Sequence, residues 1–567
     1  MKRLVFSVFA ALALAGFSSA AAQTPAPRFE DRVVVTPNRS DSPLDNAPAF
    51  ITLLDEDDIA RSTAHDLPDL LRQAGMNVTD VTGNGRSYRV DLRGFGATAG
   101  LNTLVLVDGR PINQPDLSGT DWFLVPLERV VKVEVIRGGG AAVTYGDNAS
   151  GGVVNIVTTA AAAGRQSTVA LRGGSYETFT SDAVTRGTAG KTNYSVSARY
   201  SRSDGYRDNS QTEGGDVGGS VAFPFRDRFE MAVSGGYHGD NTGLPGALLQ
   251  SELASGIERT ASVHPDDFAD VDDGYVMFTP KATLGELGYA SVDVSIRKRN
   301  SSFFSSFVGG QFTGDTGTRT IAASPRVVLT VSRASMTHHL VGGFDVSSAK
   351  EDISNEATFD GTSNLAEFAL TKNNWGGYVQ DELRAGKLAL TAGYRFDSVD
   401  YTFVPDDPAV APDASEQAGN IGAVVALSPK ASAFGRVSRS FRYPVLDELF
   451  DFGSNALLNV VPQHSIDFEG GVRFEAGSVR GSLSAFRTTT EDEIFFNPIG
   501  GGSGFGANEN IDGSTVRTGF EAEASTEVRR ILLSGTITAL DASIEDGLDA
   551  GSDVPGVADF RATFQAS

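Results

Sequence analysis

The sequence predicts an all-β transmembrane barrel preceded by a small α/β domain, and three observations carry that expectation. Most of the chain alternates apolar and polar residues with period two, and its polar positions hold full charges. The first residues form an export signal, and the chain contains no cysteine. Beyond that signal no apolar run is long enough for a spanning helix, so any membrane crossing falls to strands.

Lys2 and Arg3 make a positive start, Leu4 to Phe17 an apolar core, and "SSAAAQ" offers small residues at a cleavage position after Ala22. Residues 1–22 are therefore read as a signal peptide and 23–46 as a tether. The absence of cysteine excludes disulfides and thiolate metal sites. With 47 basic against 71 acidic residues the chain lacks the basic footprint of a nucleic-acid binder. Its 64 glycines and 35 phenylalanines, without collagen periodicity, suit a β-rich architecture with many turns.

Residues 47–160 read as the α/β domain. "LLDEDDIARS" and "HDLPDLLRQAG" are short helices, the second closed by Gly75. "LNTLVLVDGRPI" holds a strand from Thr103 to Val107 and a turn at Asp108-Gly109. Val131, Val133 and Val135 alternate with Lys132 and Glu134 as a half-buried strand, and "GGVVNIVTT" is one more.

Residues 161–567 keep a different rhythm. Tyr194, Val196, Ala198 and Tyr200 oppose Ser195, Ser197, Arg199 and Ser201; Ile466, Phe468, Val472 and Phe474 oppose Asp467, Glu469, Arg473 and Glu475. A soluble sandwich or solenoid would bury the apolar faces together. The charged opposite faces, the alternation of short turns with long polar loops, and aromatics near strand ends favour a barrel with a wet lumen. The alternation yields about 18 candidate strands.

The order of blocks then carries a resemblance. "LRGFG", "NTLVLVDGRPIN" and "LERVVKVEVIRGGGAAVTYGDNASGGVVNIVTT" resemble the plug domain of TonB-dependent outer-membrane receptors, of the siderophore and cobalamin type. "RVSRSFRYPVLDELF", "LNVVPQHSIDFEGGVRF" and "NIDGSTVRTGFEAEAS" extend it along the barrel. "EDRVVVTPNR" is similar to a TonB box, which implies that Asp31, Arg32, Val33, Val34, Val35 and Thr36 bind TonB. Physically, three β-branched residues on a tether make a strand without a sheet, able to add to a partner's sheet edge until Pro37 stops it. The resemblance implies a monomer in outer-membrane lipid, whose plug fills the lumen and is pulled by an inner-membrane complex through TonB. The cargo it implies is a ferric siderophore or cobalamin.

The family's ligand contacts lie on apical plug loops, which here implicates Asn84, Arg86, Tyr88, Asp116, Ser118, Asp121 and Trp122. "HPDDFADVDDG" places Asp266, Asp267, Asp270, Asp272 and Asp273 in one expected outer loop, where calcium is the cofactor they could hold; no cofactor is required. His338 and His339 are neighbours on a strand and face opposite sides, so they cannot share a metal. "RGGGAAVTYG" lacks the lysine of a phosphate loop, and its glycines are read as tight turns. No nucleophile–base arrangement is legible, so an enzyme is not expected. The family's barrel is 22-stranded and ends on an aromatic residue, whereas this chain ends at Ser567. About 70 to 100 residues of C-terminal strands are therefore expected to be missing. A passive porin and an adhesive barrel are the alternatives, and neither needs a plug or a tether.

Overall fold

The computed structural model describes residues 33–34, 39, 42–83, 85, 87–158, 164–404, 413–451, 456–500 and 506–567. Eighteen antiparallel strands, from Arg165–Gly173 to Phe560–Ala566, follow one another in a single sheet in chain order. The strand count read from alternation is met; the 22 of the resemblance is not, among the described residues. The first and last strands are each paired on one side only there.

The sheet is inside-out relative to a soluble protein. Ile466 and Phe468 are 44 % and 55 % exposed, while their neighbours Asp467 and Glu469 are 1 % and 6 % exposed. Apolar side chains that gain nothing from water face outward to lipid, and charges line the interior where partners and water satisfy them. Arg395, Arg442 and Arg517 are accordingly among the largest fully buried side chains. No helix among the described residues is long and apolar enough to cross a membrane.

Several strands far exceed the bilayer. Gly310–Arg333, Met336–Phe359 and Thr362–Ala385 have 24 residues each. At about 3.3 Å per residue that is about 80 Å of strand, against an apolar band of about 25 Å. Even tilted, the wall continues well beyond the lipid. The short turns mark the periplasmic rim and the long loops the outer one.

The plug sits within this wall around a five-stranded sheet in the order Ile51–Leu54, Lys132–Arg137, Gly152–Val157, Thr103–Val107, Arg110–Pro111. Two short helices flank it. Glu56–Arg61 is held by a capping box on Asp55, and Leu67–Gln73 starts at Asp66 and ends before Gly75, whose φ is 86°. Leu67, Leu71, Val105, Val133, Val154 and Ile156 build its core. Lys132–Arg137 is not half-buried as alternation suggests. Glu134 is fully buried on the polar face, where Lys132 at 2.7 Å and Asn155 at 3.2 Å satisfy it.

Candidate functional site

The plug meets the wall through apolar clusters, in which Phe50 joins Val424 and Phe434 and Val143 joins Leu370 and Tyr401, and through buried polar contacts. Arg93 lies 3.0 Å from Glu469 and 3.2 Å from Glu521 of the wall, and Arg137 lies 3.0 Å from Glu521. Arg436 reaches Glu469 at 2.6 Å and also donates to the Arg137 carbonyl at 3.1 Å. Arg517 donates to the Gly94 carbonyl at 2.7 Å, and Asn420 to that of Gly140 at 2.8 Å. Arg93 stands at φ 67°, an uncommon conformation for arginine that the surrounding pairs hold in place. Polar contacts of this kind can be exchanged for water.

The glycine run of "RGGG" serves this interface. Gly138 has φ 76° and does turn the chain. Gly140 does not need that freedom: a Cβ there would overlap the Arg436 guanidinium. The run is bare so that Arg436, Ser440 and Asp467 of the barrel can lie against plug backbone.

At the periplasmic approach, Val33–Val34 pairs antiparallel with Ser42–Pro43. The expectation of a strand without a partner is thus corrected for these two residues, since the chain pairs them with itself. Asp31, Arg32, Val35 and Thr36 lie outside the described residues. Between them and the plug, Arg39 enters the lumen. Its Nη1 is 2.7 Å from Asp345 Oδ1, its guanidinium lies 4.5 Å from the Tyr145 ring centre, and Asp345 also binds Arg395 at 2.7 Å.

At the outer mouth, the segment after "FRYP" folds inward over the plug. Tyr443 N donates to Asp147 at 2.9 Å, Leu446 N donates to the Pro115 carbonyl at 2.8 Å, and Arg442 anchors the turn on Glu448 at 2.7 Å. Its Phe450 packs edge-on against Phe368 at 4.6 Å, beside Leu370, Tyr401 and Phe403 of the inner wall. Leu117 N donates to Asp447 at 3.4 Å, and burial together with the Asp116 carboxyl pushes Asp447 up to about 7. Sequence reasoning did not find this lid.

The expected ligand residues separate. Trp122 is 3 % exposed in the plug core, where its Nε1 donates to the Tyr88 carbonyl at 3.0 Å, so it offers no stacking face to a cargo. Tyr88 is half-buried with its ring 6.3 Å from that of Phe123. Asp116 is buried and accepts from Ser118 N at 2.9 Å; Ser118 is exposed. Asp121 lies against His238 of the wall. Asn84 and Arg86 lie outside the described residues.

The five aspartates do not share one loop. Asp270, Asp272 and Asp273 belong to the strand Phe268–Thr283, with Asp266 and Asp267 just before it. Asp273 faces the lumen and binds Arg297 at 3.0 Å, so Asp272 faces away and pairs with the Tyr237 hydroxyl. Asp270 is bonded to Asn241, and Asp267 accepts from Ser306 N at 2.9 Å. By the same parity Asp315, Asp352 and Glu367, which line a cavity of about 720 Å³ with Asp270 and Asp272, turn away from the lumen. His338 and His339 do diverge, toward Asp381 at 2.7 Å and Thr330 at 3.1 Å.

A barrel with a charged lumen, a domain bonded inside it and a tether entering from one rim define a plugged outer-membrane receptor. Residues 139–567 match the family model for the TonB dependent receptor-like β-barrel, and residues 43–153 that for the TonB-dependent receptor plug domain. The chain belongs to the TonB-dependent receptor family, whose members are transport receptors of the bacterial outer membrane. It is 26 % identical over 523 residues to the vitamin B12 transporter BtuB of Vibrio vulnificus strain YJ016, covering 88 % of this chain and 76 % of that one. The fold is also that of the unliganded ferric citrate transporter FecA, with TM-score 0.79, 17 % identity and coverage of 92 % and 82 % of the two chains. The ferric yersiniabactin uptake receptor FyuA of Yersinia pestis gives TM-score 0.75, 16 % identity and coverage of 91 % and 82 %.

Proposed function

We propose that this receptor binds a scarce, large ligand at its outer mouth and imports it with energy delivered through TonB, and that the ligand is a corrinoid of the cobalamin class. The observation that carries the ligand class is identity to a vitamin B12 transporter spread over 88 % of the chain. The chemistry of the mouth supports it. Phe368, Leu370, Tyr401 and Phe403 make an apolar, aromatic floor under the inward-folded segment. Such a surface suits the faces of a large ring system better than a multiply charged anion, which would call for converging arginines. A ferric siderophore is the second reading, favoured by the shared fold with ferric-siderophore receptors.

On this reading the receptor acts as a monomer and carries out no covalent step. Cargo displaces the segment from Tyr443 to Phe450, whose bonds to Asp147 and Pro115 transmit the change to the plug. TonB then pairs with the valine strand and pulls. The plug leaves the wall by exchanging its polar contacts for water, and the charged lumen supplies a hydrated path. The test is uptake of radiolabelled cyanocobalamin and of ferric siderophores by cells lacking their own receptors, with and without an uncoupler. Uncoupler-sensitive accumulation of cyanocobalamin is expected; accumulation of a siderophore alone transfers the reading to iron, and uncoupler-insensitive entry of both overturns active import.

A further inference from the structure

His238 lies on the wall strand Phe229–Gly243, is 4 % exposed, and is surrounded by carboxylates. Its Nδ1 is 2.6 Å from Asp216 Oδ1; its Nε2 is 2.5 Å from Asp240 Oδ2 and 3.7 Å from Asp121 Oδ2. Asp121 comes from the plug, so the cluster bridges plug and wall. Its other oxygen accepts from Phe123 N at 3.0 Å, which fixes the carboxylate with Oδ2 toward the imidazole.

A neutral imidazole carries one N–H. With Asp216 accepting it at Nδ1, the Nε2 lone pair points at two carboxylate oxygens, and three electron-rich atoms meet away from bulk water. The charge that binds these atoms together is either the proton of an imidazolium or a bound cation. We propose that it is a divalent transition-metal ion of the zinc or manganese type, ligated by Asp121, His238 and Asp240, which fastens the plug's outer loop to the barrel.

Three features fit an ion. The three ligand atoms lie within 4.8 Å of one another, and metal bonds of about 2.0–2.2 Å fit once Nε2 and Asp240 Oδ2, now 2.5 Å apart, open to admit the ion. Asp216 behind Nδ1 is the carboxylate partner that fixes the tautomer of a metal-bound histidine and raises its basicity. The donor set of one imidazole and two carboxylates suits zinc or manganese, whereas calcium and magnesium favour oxygen alone. The site is distinct from the aspartate string beginning at Asp266, whose carboxylates diverge. Its position gives it a role: Asp121 ends the same plug loop whose Asp116 faces Asp447 of the lid, so the ion would hold that loop to the wall while the lid moves.

The test uses the full chain, purified in detergent, stripped with EDTA and titrated with zinc chloride. One tightly held equivalent is expected, lost in His238→Gln and in Asp121→Asn, and weakened about 10–100-fold in Asp216→Asn. Cobalt substitution should give a visible absorption band in the wild type that is absent from Asp121→Asn, whose amide oxygen can still accept from Phe123 N. Zinc should also slow hydrogen exchange of residues 115–123 in the wild type only. The proposal is overturned if the wild type binds no more zinc than His238→Gln, which would leave an imidazolium as the bridging charge, or if Asp121→Asn binds zinc as the wild type does.

Discussion

Arg93 of the plug lies 3.0 Å from Glu469 of the barrel wall, with both side chains shut off from solvent. Glu469 also binds Arg436 and accepts from Phe50 N at 2.8 Å, so a single carboxylate joins two plug segments to the wall. Removing one partner of such a buried network strands the others, which is more damaging than replacing the whole network by apolar groups. Glu469→Ala is expected to weaken plug docking by about 3–5 kcal/mol. Hydrogen exchange should rise in residues 92–97 and 137–141 while the barrel strands remain protected. Unchanged exchange there would show that plug retention lies elsewhere.

Arg39 is expected to act as a latch on the tether. Its contacts with Asp345 and Tyr145 hold the chain just after the valine strand inside the lumen. A hydrogen bond to a charged partner contributes about 1.5–3 kcal/mol, so Arg39→Ala should expose the tether at least about tenfold more often. The chain has no cysteine, which allows a clean measurement. Thr36→Cys should react with a polar thiol reagent several-fold faster in the Arg39→Ala background. Equal rates would mean that Arg39 does not restrain the tether.

Asp447 gives the lid a pH dependence with a definite sign. Its carboxyl is raised from 3.8 to about 7, by burial first and then by Asp116; Glu448 adds to the rise, and the Leu117 N–H opposes it. Glu351 of the wall also faces Asp116 and Asp447. The docked lid therefore keeps a proton that the undocked lid releases. Docking is strongest below about pH 4 and weakens as the pH rises through about 7. Exchange in residues 443–451, corrected for intrinsic rates, should be faster at about pH 8 than at about pH 5. Asp447→Asn should remove most of that difference; a wild type without it would refute the assignment.

Much of this fold is legible because a membrane barrel writes its two environments directly into the sequence. Leu390 and Tyr394 against Arg395 and Asp397 could be assigned to opposite faces with no knowledge of neighbours, because lipid and a charged lumen demand opposite chemistries. The site was less legible, since its residues are chosen by what lies across the lumen. Trp122 reads as a contact surface but completes the plug core, a fact decided by Tyr88 and the helix Leu67–Gln73. The aspartates from Asp266 read as one cluster because sequence distance hides the flip between Asp272 and Asp273. His238 was not singled out in the sequence. Only the meeting of wall and plug brings Asp121 to it, although the spacing of His238 and Asp240 on one strand face was available to a pairwise search.

The most decisive prediction concerns Val34. Val33 and Val34 already make strand pairs with Ser42–Pro43, so this segment has the extended backbone that a partner's sheet edge requires. The cis pairing is only two residues long, and a longer edge offering more hydrogen bonds would replace it at little cost. Proline at position 34 removes an N–H from the pairing strand and disfavours the partner's strand more than the short cis pair. Val34→Pro should leave surface binding of cyanocobalamin unchanged and reduce its accumulation to the level of uncoupled cells. Binding touches only the outer mouth, so the two readouts separate: loss of both would indicate a receptor that fails to assemble. Retention of both would remove the valine strand as the point where force is applied, and with it the reason for a tether at this end of the plug.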